Sequence, residues 1–334
     1  VTIVIRRPVG VFVGLAVTAA LVTACGSGPS QVGTALIVGN TSVSVNQVQQ
    51  ELNDLLSSQS AAKQAQAQGQ LAQTSRSIVT AHVLHQLVGH AAAREGLTVS
   101  DPQIDQLVTQ SGGIDKVAQT LGTAPADTRD VVKDVLLEAA LARKYADRLT
   151  VKFGYVVATS RQDALTKAQQ LAADPNSLQG LINQANSALA ASGQQGSAGG
   201  TDTSFSISSY LQSVAQAEQQ NGQAPTENDG PIFGTPANTV VAFQPDPSQG
   251  SAWIVALIKS RSQSGTAPAG GSATSAADLS TLDQIGVSLL QPDATELGVR
   301  ISPRYGEWNQ VSMQVVAAGD QNVGVEFPVR QPQP

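Results

Sequence analysis

The sequence predicts an α+β protein, mainly α, in which a helical module with a short β arm is interrupted by a smaller α+β unit. Three observations carry that expectation. Apolar residues recur at helical spacing through most of 45–149, and at Val151 the texture switches to the β-branched alternation of VKFGYVVAT. An uncharged polar run, SQSGTAPAGGSATSAA at 262–277, then separates this second texture from a last helical stretch.

The elements follow in order. Ala35 to Val38 is a short apolar run, Gly39-Asn40 a turn pair, and Val43 and Val45 alternate with polar neighbours, so this segment reads as a small β arm. Ser44 is placed to cap a first helix whose apolar stripe is Val45, Val48, Leu52, Leu55 and Leu56. Residues 57 to 77 are rich in Gln, Ala and Ser and read as a mobile or weakly helical connection. A second helix is expected from about Gln70 to Glu95, stopped by Gly96. In GLTVSDPQIDQLVTQ, Ser100 caps and Pro102 sits in the first turn, where its missing N–H costs nothing. Gly112-Gly113 ends that helix, a short one carries Ile114, Val117, Ala118 and Leu121, and a long amphipathic one is expected from Ala126 to Leu149.

Beyond Val151 the expected order is β-α-α-β-β: the opening strand, helices at Ser160 to Ala173 and about Ser208 to Gln220, then strands at Thr239 to Phe243 and Ala252 to Ile258. SGQQGSAGGTDTS at 192–204 is low in complexity, and NGQAPTENDGP reads as loop. After the linker, LSTLDQIGVSLL is helical by spacing, and strands are expected at Thr295 to Ile301 and Val311 to Val316.

Cys25, the only cysteine, follows two arginines, Arg6 and Arg7, an uncharged apolar run from Pro8 to Val22, and the small residues Thr23 and Ala24. That is the pattern of a secretory signal peptide ending at a bacterial lipobox. The expectation is cleavage before Cys25 and attachment of a diacylglycerol to its thiol. Acyl chains contribute about 0.8 kcal/mol per buried CH2, so two or three of them anchor a protein without a spanning helix. The apolar run is also short of the about 20 residues that a span needs.

Loss of residues 1–24 lowers the basic count from 19 to 17 against 25 acidic residues, a balance near −8. Such a surface argues against a nucleic-acid partner, which would call for a basic footprint, and against docking on anionic lipid heads. With its one cysteine committed to lipid, the exported chain forms no internal disulfide, and apolar burial must supply its stability.

The chemistry of a catalytic site is not legible. There is no Gly-rich phosphate loop, no nucleophile elbow and no zinc-ligand spacing. His82, His85 and His90 all fall on the second helix. The first two are one turn apart, and His90 is turned about 80° from His82, which fits the polar edge of a packed helix. Asp101 with Asp105, and Asp127 with Asp130, fit solvated helix starts. Accordingly no catalytic, cofactor-binding or metal-ligating residue is assigned, no cofactor is expected, and Cys25 is the one site residue.

Three segments taken together resemble the SurA-type periplasmic chaperones. They are LIVGNTSVSVNQVQQELNDLL at 36–56, REGLTVSDPQIDQLV at 94–108 and VRISPRYGEWN at 299–309. The resemblance implies a helical N-terminal module that the C-terminal piece rejoins, with parvulin prolyl-isomerase units between. On that basis the layout is a signal peptide (1–24), a lipidated tether (25–34), a helical module of 35–149 with 279–316, a degenerate parvulin-like domain (151–261), a flexible linker (262–278) and a C-terminal tail (317–334). Active parvulins share a histidine on the first strand and another on the last. Here Phe153-Gly154-Tyr155 and Ala252-Trp253-Ile254 stand at those positions, and 150–334 contains no histidine. The resemblance therefore implies a lipid-anchored chaperone-like protein on the extracytoplasmic face of the cell membrane that binds unfolded or nascent exported polypeptides without nucleotide or catalysis. The alternatives are a surviving prolyl isomerase and a structural scaffold of the envelope.

Overall fold

The computed structural model describes residues 33–193, 196–221, 228–246, 252–264, 278–320 and 323–330. The chain is an α+β protein, mainly helical. The leader, Cys25 and most of the tether lie outside the described residues, as does most of the linker. Among the described residues, no helix is long and apolar enough to cross a membrane.

Strands β1 (Thr34–Val38) and β2 (Thr41–Ser44) form the β arm, and Ser44 then caps α1 (Val45–Ser58) by accepting the Gln47 amide at 3.1 Å. The connection expected to be mobile or weakly helical contains a helix, α2 (Ser60–Ala67). Alanine has the best helix propensity, and burial of Ala62 together with a hydrogen bond from Gln59 to the Thr123 carbonyl (3.1 Å) holds the turn in place. Helix α3 (Leu71–Glu95) ends at Gly96, and α4 (Asp101–Gln110) opens with a reciprocal capping box between Ser100 and Gln103. Helices α5 (Ile114–Leu121) and α6 (Thr128–Tyr145) follow. Helix α6 stops four residues short of the expected end, because Leu149 already belongs to a strand and is fully buried there.

The second unit is richer than the expected β-α-α-β-β order. It runs β3 (Leu149–Ala158), α7 (Arg161–Ala173), a single 3-10 turn, α8 (Leu178–Ala191), β4 (Gly199–Ser206), α9 (Ile207–Asn221), α10 (Gly230–Gly234), β5 (Thr239–Phe243) and β6 (Trp253–Gln263). The low-complexity run thus contributes a strand, β4, which pairs antiparallel with β3. Composition concealed it because a strand is defined by what it pairs with, more than by its own side chains.

The C-terminal return consists of α11 (Leu279–Leu289), α12 (Gln291–Leu297), β7 (Val299–Ile301), β8 (Glu307–Asn309), β9 (Gln314–Val316) and β10 (Val325–Pro328). The strand expected from Thr295 begins only at Val299, since Thr295–Leu297 finish a helix started by Pro292 in its first turn. Val311 likewise precedes its expected strand, which starts at Gln314. Residues 325–328, read as tail, are an edge strand.

Among the described residues three antiparallel sheets result, with orders β2-β1-β7, β10-β5-β6-β3-β4 and β8-β9. Strand β7 lies against β1 in the register Leu36 to Ile301 and Val38 to Val299, so residues more than 260 positions apart share a ladder. One face of the five-stranded sheet, with Val156, Val240 and Val255, packs on α7 and α8 through Ala164, Ala168, Leu171 and Ile182. The opposite face, with Val151, Phe153, Val241 and Ile258, shares one apolar core with Leu87 of α3, Leu141 of α6 and Leu282 and Ile285 of α11. Each such fully buried aliphatic contributes about 1.5–3 kcal/mol, which makes this core the main link between the helical module and the sheet.

Candidate functional site

The face of β3 where the resemblance places a catalytic histidine is packed core. Phe153 is 4% exposed, and it forms a cluster with Tyr155, Phe205, Tyr210 and Phe233, the ring centroids 5.8 to 6.4 Å apart in tilted or edge-on pairs. Five of the chain's twelve aromatic residues therefore meet at one place, and they are used for packing. Trp253 is buried on the other side of the sheet against α7 and α8, and Ile254 contacts the larger core. Neither position offers an imidazole.

An open groove of about 300 Å³ lies elsewhere, between α1, the start of α3 and the turn at 302–306. Val48 and Leu52 supply apolar walls from one face of α1, Leu71 adds another from α3, and Tyr305, 7% exposed, closes the base. Gln49, Ser75 and Arg304 form a polar rim. Local backbone chemistry fixes the turn. Tyr305 donates its amide to the Ser302 carbonyl at 2.9 Å, and Gly306 adopts φ +121°, where a Cβ would lie 1.9 Å from the Val316 carbonyl oxygen. The Arg304 guanidinium stands 5.9 Å from the centre of the Tyr305 ring. The Pro-Arg-Tyr-Gly motif is thus one side of this groove.

A second, more polar cleft of about 490 Å³ runs along the opposite side of α1 to the loop before α6, with Glu51, Asp54 and Asp127 on its walls. Burial, reinforced by Glu51, Asp54 and Asp130, pushes the Asp127 carboxyl above its usual value. Asp101 and Asp105 both face Arg129 and are solvated, in keeping with helix-start acids.

The three histidines do lie along α3, and each meets a carboxylate from a different element. His82 Nε2 is 2.8 Å from Glu51 of α1, His85 Nδ1 is 2.7 Å from Asp134 of α6, and His90 Nδ1 is 2.8 Å from Asp293 of α12. The hydrogen bond to Asp134 raises the pKa of His85, with burial opposing it. Because the acids are dispersed, no group of three or more ligating residues fit for a metal ion occurs among the described residues. The partners are 31, 49 and 203 residues away in sequence, so no local pattern signalled them.

Around His90 the polar contacts extend into a network. Asp293 also accepts from Arg94, Arg94 donates to Glu95 at 3.1 Å, and Lys144 and Tyr145 donate to Glu95 at 2.9 Å. Burial pushes the Glu95 carboxyl up, but the bonds from Lys144, Arg94 and Tyr145 outweigh it and hold the pKa below its usual value. Arg261, mostly buried on β6, donates to the Gly234 carbonyl at 2.7 Å, and burial lowers its pKa.

Compared with known proteins, the chain matches no family model and no curated protein at a significant level.

Proposed function

We propose that this chain is a lipid-anchored, chaperone-like protein of the extracytoplasmic membrane face that holds exported polypeptides without catalysis. The observation that carries the reading is the groove of about 300 Å³ at α1, α3 and the 302–306 turn. It combines apolar walls with a polar rim, the chemistry suited to a short stretch of unfolded chain, and its size is at the lower end of ordinary binding pockets. Two of the three segments that resemble the SurA-type chaperones, 36–56 and 299–309, supply part of its lining, and the start of α3 supplies the rest. The replacement of both parvulin histidine positions by Phe153-Gly154-Tyr155 and Ala252-Trp253-Ile254 supports binding without isomerisation. The leader ending at Cys25 supports attachment to the outer face of the membrane.

The test is suppression of aggregation of an unfolded exported protein by the full chain at near-stoichiometric ratio. Gln49→Trp, which fills the groove from its rim, is expected to reduce that suppression several-fold. Absence of suppression by the unaltered chain rejects the reading. A protease-coupled assay on Xaa-Pro peptides is expected to give the uncatalysed rate, and acceleration would instead make the chain an isomerase.

A further inference from the structure

Helices α6 and α11 cross at their closest approach where Gly286 lies on the backbone of Glu138. A Cβ on Gly286 would stand 2.2 Å from the Glu138 carbonyl oxygen, so only glycine fits. At this crossing two acids face one another: Glu138, 4% exposed, and Asp283 from the facing helix. Glu138 Oε1 and Asp283 Oδ1 are buried and have no hydrogen-bond donor from any described residue. Two carboxylate oxygens in contact repel, whereas one proton between them makes a hydrogen bond.

We propose that the α6–α11 crossing is a proton-operated latch: the shared proton between Glu138 and Asp283 keeps α11 seated on the helical module, and its loss lifts α11 off. Helix α11 holds Leu282 and Ile285 in the main core, and Ser288 packs on α10, which carries Phe233 of the aromatic cluster. Release of α11 therefore uncovers apolar surface on the same side of the sheet as that cluster. The latch goes beyond the binding role proposed above and does not depend on it.

The charges facing the pair act in one direction. Burial, then the hydrogen bond and charge of Asp283, then Asp134 one turn back on α6, all push the Glu138 carboxyl well above its usual value. Burial pushes Asp283 up too, against the hydrogen bond from Glu138. Asp134 is itself paired with His85 of α3. A group whose folded pKa is raised stabilises the fold fully below its unfolded value and loses that contribution as pH rises through its folded value. The latch is accordingly closed in mild acid and loosens as pH rises.

Hydrogen exchange of the full chain, expressed as protection factors so that intrinsic exchange is removed, reads the latch directly. Protection of residues 279–289 is expected to fall by about tenfold or more between about pH 5 and about pH 8. In Glu138→Gln, whose amide donates to Asp283 without a titrating proton, that protection is expected to stay at its acid value; Asp283→Asn is the second variant and is expected to do the same. Unchanged protection of α11 in the unaltered chain, or an equal fall in a folded variant, overturns the latch.

Discussion

Two aspartates hold the C-terminal return onto the helical module, and they do so by opposite means. Asp293 on α12 is fully buried and meets the Arg94 guanidinium and the His90 ring of α3. Asp283 on α11 meets another acid, Glu138 of α6. The first contact needs no added proton, because arginine is charged throughout the physiological range. The second requires one. Two neighbouring helices of one return thus respond differently to pH: the α12 end, close to β7 and the groove-forming turn, is anchored by charge, while α11 is held by a proton that rising pH removes.

The contrast is sharpest if the cationic partner is taken from the α12 end. Arg94→Ala is expected to cost about 3 kcal/mol in denaturant unfolding, because it leaves the 0%-exposed Asp293 with His90 alone. Asp293→Asn should cost less, since Arg94, 41% exposed, keeps Glu95 and water as partners. An equal cost for both would refute the asymmetry. At the α11 end, Gly286→Ala is expected to destabilise by about 2 kcal/mol or more through overpacking against the Glu138 backbone. The same substitution should abolish the pH dependence of α11 protection, because the crossing can no longer close. The smallest effect belongs to His85→Ala, expected to cost under about 1 kcal/mol because the His85 side chain is half exposed and screened by solvent. Its pKa is raised by Asp134, so the contribution is complete below about pH 6.5 and disappears as pH rises through the folded value. Urea midpoints at two pH values would expose a reversed sign.

What sequence made legible and what it concealed divide along the same line. Local chemistry was readable: Ser44 and Ser100 cap the helices they precede, Gly96 closes α3, and the change of texture at Val151 marks a real strand. The mainly helical α+β class followed from those signals. Pairing over distance was not readable. Strand β4 hid in a Gly/Ser-rich run and α8 went unmarked, and β10 was read as tail because its partner, β5, lies some 86 residues earlier. The groove was half legible, since Val48 and Leu52 belong to a visible helical stripe, but nothing local joins them to Tyr305. The pairs His90 with Asp293 and Glu138 with Asp283 are likewise products of tertiary packing, and a single sequence carries no signal for them.

One buried carboxyl pair, Glu138 with Asp283, retains a proton where isolated carboxyls have lost theirs. A carboxyl-carbon NMR titration of Glu138 in the full chain, assigned by comparison with Glu138→Gln, measures it. The resonance is expected to remain that of the protonated acid through the ordinary glutamate range near about pH 4.3 and to titrate only well above it. Titration of Glu138 within the ordinary range would rule out the shared proton.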